Sequence, residues 1–387
     1  MIGLAAARWS LLFGNFAIGT GVMVVAGTLN DISRSLGVSV SLAGQLIAIA
    51  AAVMCFAAPA MAAWMSAFDR RRLLTWALIW YAAGHALCAL MPSYAALWPV
   101  RALTMLGAAL FSPQAAAAIG FMAPPEQRGR SITFIFLGWS LASVLGIPIA
   151  AWLGETQGWR VAFGAVAALS AVAALAVFAT VPNGVKPAAI SRRAWKDLFS
   201  HPVLMAMVAV TAIQSAGQFT LFSYFAPYYK QVLGATPGEI TLLFVWFGAF
   251  GLIGNVLLSR FIDRTGTHRA VAFTLALVAI GLALWPLATT LLSTALVLVP
   301  WALGCFAANS AQQARLGVSA PALASALMAL NTSAMYFGQA AGASGGGWLL
   351  DHGGFAPLAW LGLLAVLCAI ALSVWVGRQR METEMAR

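Results

Sequence analysis

The feature that most constrains this chain is a series of unbroken apolar runs of about 20 residues, repeated from one end to the other. A helix needs about that length to cross the hydrocarbon core of a bilayer. The runs are too long and too continuous for the alternating strands of a membrane barrel, so helices are the expected spans. They lie near 11–30, 41–65, 73–91, 95–120, 131–153 and 160–181, then near 203–228, 238–260, 269–290, 293–317, 322–350 and 355–376. Composition agrees, with 62% hydrophobic and 8% charged residues against about 25% charged in soluble domains. Arg8 before an apolar run could mimic a signal peptide, but the similar runs downstream make it a first membrane helix.

The formal charge of +11 would suit nucleic acid, yet the basic residues sit in short gaps between spans, which suits membrane topology instead. With the N-terminus placed inside, 17 of the 21 Lys and Arg residues, Arg315 among them, fall in inside gaps, at inside span ends or in tails. Three fall outside (Arg34, Arg160 and Lys230), and Arg101 falls within a span. This bias predicts an even number of spans with both termini cytoplasmic. The longest polar gap, 182–202, contains Pro182, Asn183, Gly184 and Pro187, then the basic segment Ser191–Asp197. It reads as a cytoplasmic linker between residues 1–181 and 203–387, its basic segment lying on anionic headgroups. The fold class expected is therefore all-α, twelve transmembrane helices in two pseudo-symmetric six-helix bundles. Cys55, Cys88, Cys305 and Cys368 lie singly in apolar segments without metal-ligand spacing. No nucleotide-binding loop or metal cluster is visible, so no cofactor is expected. The expected partners are the bilayer, a small-molecule substrate and protons, for a monomer that binds no nucleic acid.

Asp69-Arg70 follows the second run and Asp263-Arg264 follows the eighth, the latter with Gly266 and Arg269. Duplicated six-helix halves are a transporter architecture, with the site between repeats near the midplane. A carboxylate at such turns suits exposed helix N-termini, and the arginines could hold headgroup phosphates or latch a gate; ordinary solvated turns are the alternative. Gly138, Gly146 and Gly154 recur every eight residues around Pro148, which keeps them near one helix face. Small residues there allow close helix approach, for packing alone or as a bendable surface.

Together with Arg101 and Gly107, Gly158-Trp159-Arg160, Gly254-Asn255 and Ser325-Ala326-Leu327 with Asn331, these motifs resemble the major facilitator superfamily across essentially the whole chain. More narrowly they resemble its twelve-helix drug–proton antiporter branch, with its sugar-efflux members. Asp69, Arg70, Asp263, Arg264, Gly266 and Arg269 then match the gating motif, and Gly138, Gly146, Pro148 and Gly154 the antiporter helix. The resemblance implies a bacterial inner-membrane exporter of a drug, sugar-like molecule or metabolite, working by alternating access with proton antiport. It departs at Val22, where sugar-efflux relatives carry an acid, and near Ala108, where they carry a histidine.

Ionisable residues within spans are costly and point to function; here they are Arg101 and His85. All ten acids lie in gaps or at span ends. Proton coupling could use Arg101 pairing transiently with Asp31 or another acid at the external end, or His85, whose unperturbed pKa is near 6.5. His85 could equally be a neutral hydrogen-bonded residue, and Arg101 a structural anchor. Asn15, Gly19 and Val22 share a stripe of the first helix at three- or four-residue spacing. They and Arg101, Gln214, Gln218, Tyr224, Asn309, Gln312, Asn331, Tyr336 and Gln339 outline a substrate cavity, with interhelical hydrogen bonding as the alternative. One positive charge among amides and aromatics suits a neutral or anionic compound. Tryptophans such as Trp98 and Trp159 are expected at membrane interfaces as anchors. The competing expectations are an importer or uniporter without proton coupling and a non-transporting sensor. An intramembrane enzyme is disfavoured, because the spans hold no paired acids or nucleophile triad.

Overall fold

The computed structural model describes residues 2–38, 40–65, 67–186 and 192–385. Residues 187–191 of the expected linker, including Pro187 and Ser191, lie outside the described residues. Among the described residues the regular structure is entirely helical. The first half comprises α1 (Ile2–Leu36), α2 (Val40–Trp64), α3 (Arg70–Leu90), α4 (Tyr94–Met122), α5 (Arg128–Leu141), α6 (Ile147–Gln157) and α7 (Trp159–Thr180). The second comprises α8 (Arg192–Phe199), α9 (Pro202–Phe222), α10 (Phe225–Gln231), α11 (Pro237–Thr265), α12 (Thr267–Leu284), α13 (Leu291–Ser319), α14 (Ala324–Gly353) and α15 (Ala356–Met385). Among the described residues, eleven spans are long and apolar enough to cross a membrane. The remaining long helix, α14, has 30 residues but dilutes its apolar content with Gly, Ser, Asn and Gln.

The helices outrun the apolar runs. The first run begins near 11, yet α1 begins at Ile2 and carries Arg8, whose guanidinium lies 4.8 Å from the Phe134 ring centroid. A helix satisfies its own backbone, so it need not stop where hydrocarbon gives way to water. The fifth span is interrupted by a π turn at Ala142–Gly146, in which Ile147 N–H reaches back to the Ala142 carbonyl. Pro148, next in the chain, has no N–H to donate, and the wider turn accommodates that loss. Local sequence sets several helix starts: Ser93 accepts from Ala96 N at 3.3 Å, and Thr236 with Glu239 forms a capping box on α11.

By its internal contacts the chain divides into two compact units, Met1–Ile190 with Ala320–Ser333, and Ser191–Ser319 with Ala334–Arg387. In unit 1, α3 packs on α7 and α4, and α1 on α7 and α5; in unit 2, α12 and α11 pack on α13, and α15 on α9. The same close contacts recur in both. A side chain at Gly84 would strike Thr104, and one at Gly281 would strike Trp301. One at Gly107 would strike the Ala77 carbonyl, and one at Gly304 the Thr274 carbonyl. Every residue of the second set follows its counterpart by 197 positions (84 and 281, 104 and 301, 107 and 304, 77 and 274). The pseudo-symmetry thus extends to individual helix crossings.

The tryptophan expectation needs one correction. Trp98 is 45% exposed, as an interfacial anchor should be, but Trp159 is 1% exposed and packs edge-on to Phe163 at 5.4 Å. Its position after Gly158 turns the ring into the unit rather than outward. Trp301 and Trp285 are also buried, in an aromatic cluster around Phe225.

Candidate functional site

The charged centre of unit 1 lies where α1, α3, α4 and α7 meet. Arg101 has no exposed surface. Its Nη1 donates to His85 Nε2 at 3.0 Å and its Nη2 to the Val22 carbonyl at 3.1 Å. The guanidinium lies 5.8 Å from the Phe163 ring centroid, and Nε has no hydrogen-bond partner among the described residues. A guanidinium can only donate, so Nε2 of His85 is an acceptor and its proton sits on Nδ1. That Nδ1–H donates to the Tyr81 carbonyl at 2.9 Å, which i,i+4 spacing on α3 places directly beneath it. The Tyr81 hydroxyl in turn donates to the Ile18 carbonyl at 2.9 Å. Gly21 permits this assembly, because a Cβ there would lie 2.5 Å from Tyr81 Oη and 2.8 Å from His85 Nε2. The result is a fully buried cation held by neutral groups.

Asp31 does not reach Arg101. Its Oδ2 accepts from Trp159 N at 2.6 Å, capping the start of α7, where Gly158 turns with φ +93°. In this structure Asp31 is thus engaged at the start of α7 and not with Arg101. An exposed helix N-terminus attracts the carboxylate more directly than a guanidinium already seated elsewhere.

Asn15 is fully buried and ties three helices together. It donates to the Ile135 carbonyl of α5 at 3.0 Å and accepts from Ser112 of α4 at 2.7 Å; Ser112 accepts in turn from Trp139 at 3.2 Å. Gly19 lies against Ala142 and Trp139. Val22 contributes its carbonyl to Arg101. The three lie on one stripe of α1, but Asn15 bonds both α4 and α5, Gly19 packs on Trp139 and Ala142, and Val22 bonds α4 through its backbone carbonyl.

The Gly138, Gly146 and Gly154 stripe also meets α1. Side chains there would strike the Leu12 carbonyl at 2.3 Å, Thr20 Oγ1 at 2.7 Å and Thr28 Cγ2 at 3.0 Å. Positions 12, 20 and 28 repeat every eight residues too, so the two helices mesh in one shared register. Pro148 faces outward.

The two Asp-Arg loops are built differently. Asp69 caps α3, accepting from Arg72 N at 3.2 Å, and also from Gly184 N at 2.7 Å, so it ties α3 to the chain after α7. Arg70 is fully buried and donates to the Phe68 carbonyl at 2.9 Å and to Ser325 Oγ at 3.2 Å. Asp263, by contrast, lies in the last turns of α11, and it and Arg264, Gly266 and Arg269 are exposed. The turn into α12 is made by Gly266 at φ +79°, so the expected placement of Asp263 at a helix N-terminus is corrected.

In unit 2, Gln218 donates to Gln214, which donates to Ser215 at 3.1 Å, and Trp301 Nε1 donates to Gln218 at 3.2 Å. Gln312 donates to the Met207 carbonyl, and the Tyr224 hydroxyl to the Ala343 carbonyl at 2.6 Å. Asn309 is half-buried, with an Oδ1 that has no hydrogen-bond partner among the described residues. Tyr336 is buried and Gln339 half-buried in this unit, whereas Asn331, fully buried, belongs to unit 1. Sequence reasoning missed Tyr81, Ser112 and Trp301, although the four-residue step from Tyr81 to His85 was available. It also counted Arg315 with the loops. Arg315 is fully buried in α13 and donates to Ser373 of α15 at 2.7 Å, while its Nε and Nη2 have no hydrogen-bond partner among the described residues.

Comparison with known proteins agrees with this architecture. The model of the Major Facilitator Superfamily matches residues 11–343 and again 215–385. The chain is 30% identical over 378 residues to the inner membrane transport protein YdhP of Escherichia coli K12, covering 97% of this chain and 96% of that one. It is 26% identical over 365 residues to YbcL of Bacillus subtilis, described as an uncharacterized MFS-type transporter, covering 94% and 93%. Two solved structures share the fold: the human organic anion transporter MFSD10, with TM-score 0.78 and 16% identity over 96% of this chain and 98% of that one, and the proton:xylose symporter XylE, with TM-score 0.77 and 17% identity over 95% and 94%. The repeated helix crossings and the apolar spans fit the same assignment: the chain is a multi-pass membrane transporter and belongs to the major facilitator superfamily.

Proposed function

We propose that this transporter exports a small neutral or anionic organic compound by alternating access, coupled to proton entry. The observation that carries the reading is the meshed small-residue face of α1 against α5 and α6. Gly138, Gly146 and Gly154 meet Leu12, Thr20 and Thr28 in a single eight-residue register, with a π turn at its middle. Such a face lets two helices approach closely and shift past each other with few side chains in the way. A π turn inside a helix often marks a functional site. The export direction follows the resemblance of this helix to the antiporter motif. The substrate class rests on Arg101, a buried cation with no carboxylate partner among the described residues. MFSD10 is named as an organic anion transporter, which favours the anionic option.

A second reading, a facilitator without proton coupling, is favoured by one observation. Asp31, the acid best placed to couple through Arg101, is committed to the start of α7. A thermal-shift screen of purified protein against metabolites and antibiotics would find the ligand. Counterflow of that ligand in proteoliposomes, with and without an imposed pH gradient, then separates the readings. Export coupled to protons requires faster and concentrative movement under the gradient; unchanged rates leave the facilitator.

A further inference from the structure

A groove of about 580 Å³ runs along the outer face of unit 1 between α3 and α7. Its walls are Trp76, Ile79, Ala83, Ala171, Leu175 and Phe178, and Arg72 stands at its mouth. Trp76 is 65% exposed, Leu175 70% and Phe178 50%, so no part of the described chain covers them. On a membrane-spanning face this surface meets lipid, and a plain apolar wall would require nothing more.

The mouth of the groove distinguishes it. Arg71 and Arg72 begin α3 beside Asp69, the natural counter-charge for both. Asp69 is already occupied by two backbone donors, Arg72 N and Gly184 N. Arg71 lays its guanidinium over Phe178, 4.1 Å from the ring centroid, and its Nε has no hydrogen-bond partner among the described residues. Among the described residues neither guanidinium is paired with a carboxylate, and both stand where an apolar groove ends at the membrane surface. Guanidiniums bind phosphate oxygens in pairs, and their stacking on an aromatic ring leaves the N–H edges available. This end of α3 is the one the basic-residue distribution assigns to the cytoplasm, where anionic lipids concentrate.

We infer that the α3/α7 groove is a binding site for one anionic phospholipid, with its phosphate on Arg71 and Arg72 and one acyl chain along Trp76, Ile79 and Leu175. Native mass spectrometry of the full chain, purified in detergent and supplemented with phosphatidylglycerol or phosphatidylcholine, tests it. The wild type should retain one phosphatidylglycerol at least tenfold more tightly than phosphatidylcholine. The Arg71→Gln/Arg72→Gln variant should lose that preference. The Ala83→Phe/Ala171→Phe variant, which keeps both arginines and fills the groove, should lose the lipid as well. All four positions border lipid or the membrane surface, and unchanged melting temperatures without added lipid would verify folding. Equal retention of the two lipids by the wild type, or an unchanged preference in the glutamine variant, overturns the site. Full competition by glycerol phosphate would show that the phosphate alone is read, and would overturn the role of the groove.

Discussion

Arg101 Nη1 and His85 Nε2 lie 3.0 Å apart inside unit 1, and the direction of that hydrogen bond fixes the histidine as acceptor. His85 supports the arginine, and Tyr81 and Gly21 hold His85 in place. A buried cation without a carboxylate partner is costly unless neutral groups and ring faces compensate. His85→Ala leaves Nη1 without an acceptor and should destabilise the protein by about 2–3 kcal/mol. His85→Gln, which restores a side-chain acceptor, should recover more than half of that loss. Thermal unfolding in detergent, compared across the two variants, checks this; equal losses would place the histidine's importance elsewhere.

The cap formed by Asp31 gives a second expectation. Asp31→Asn keeps an oxygen for Trp159 N but loses the charge, and should cost about 0.5–1 kcal/mol at the start of α7. Asp31→Ala should cost about twice as much. If Asp31 only caps, the ratio of transport rates with and without a pH gradient is the same in Asp31→Asn as in the wild type. A collapse of that ratio would return Asp31 to the coupling path.

The glycine register separates its members. A methyl group at Gly138 would lie 2.3 Å from the Leu12 carbonyl, a backbone atom that cannot turn aside, whereas at Gly154 it would meet Thr28 Cγ2 at 3.0 Å. Gly138→Ala should destabilise by about 1–3 kcal/mol through overpacking, and Gly154→Ala by under 1 kcal/mol. Melting temperatures of the two alanine variants would show the order; a reversed order would mean that the α1–α5 contact is not formed as described.

Arg315 and Ser373 supply a coupled pair in unit 2. Ser373→Ala removes the partner of Nη1 on a guanidinium with no exposed surface, and should cost about 1.5–3 kcal/mol. In an Arg315→Met background the same change should cost almost nothing, because no charge remains to be satisfied. A double-mutant cycle measures the difference directly.

The spans were legible because hydrocarbon thickness dictates the length of an apolar helix, and the glycine stripe because its spacing matches a helix face. The cap at Asp69 was legible for a similar local reason. Other features depend on partners distant in sequence. Arg315 lies near the end of an apolar run and reads as a loop charge, but α13 continues four residues beyond it, to Ser319, and buries it. Asn15 and Gln312 look like cavity residues by type, and only the fold reveals that they bond the Ile135 and Met207 carbonyls. Trp159 reads as an anchor until the turn at Gly158 directs it inward. The polarity of a side chain is written in the sequence, but its partner is decided by helix packing.

Direction of movement is the sharpest test of the export reading. Once a ligand is identified, its radiolabelled form is offered to everted and right-side-out membrane vesicles bearing the wild type or Gly146→Val. An exporter accumulates the compound in everted vesicles alone, and Gly146→Val, still folded, loses that accumulation. Accumulation confined to right-side-out vesicles, or full activity with valine against Thr20, would contradict that reading.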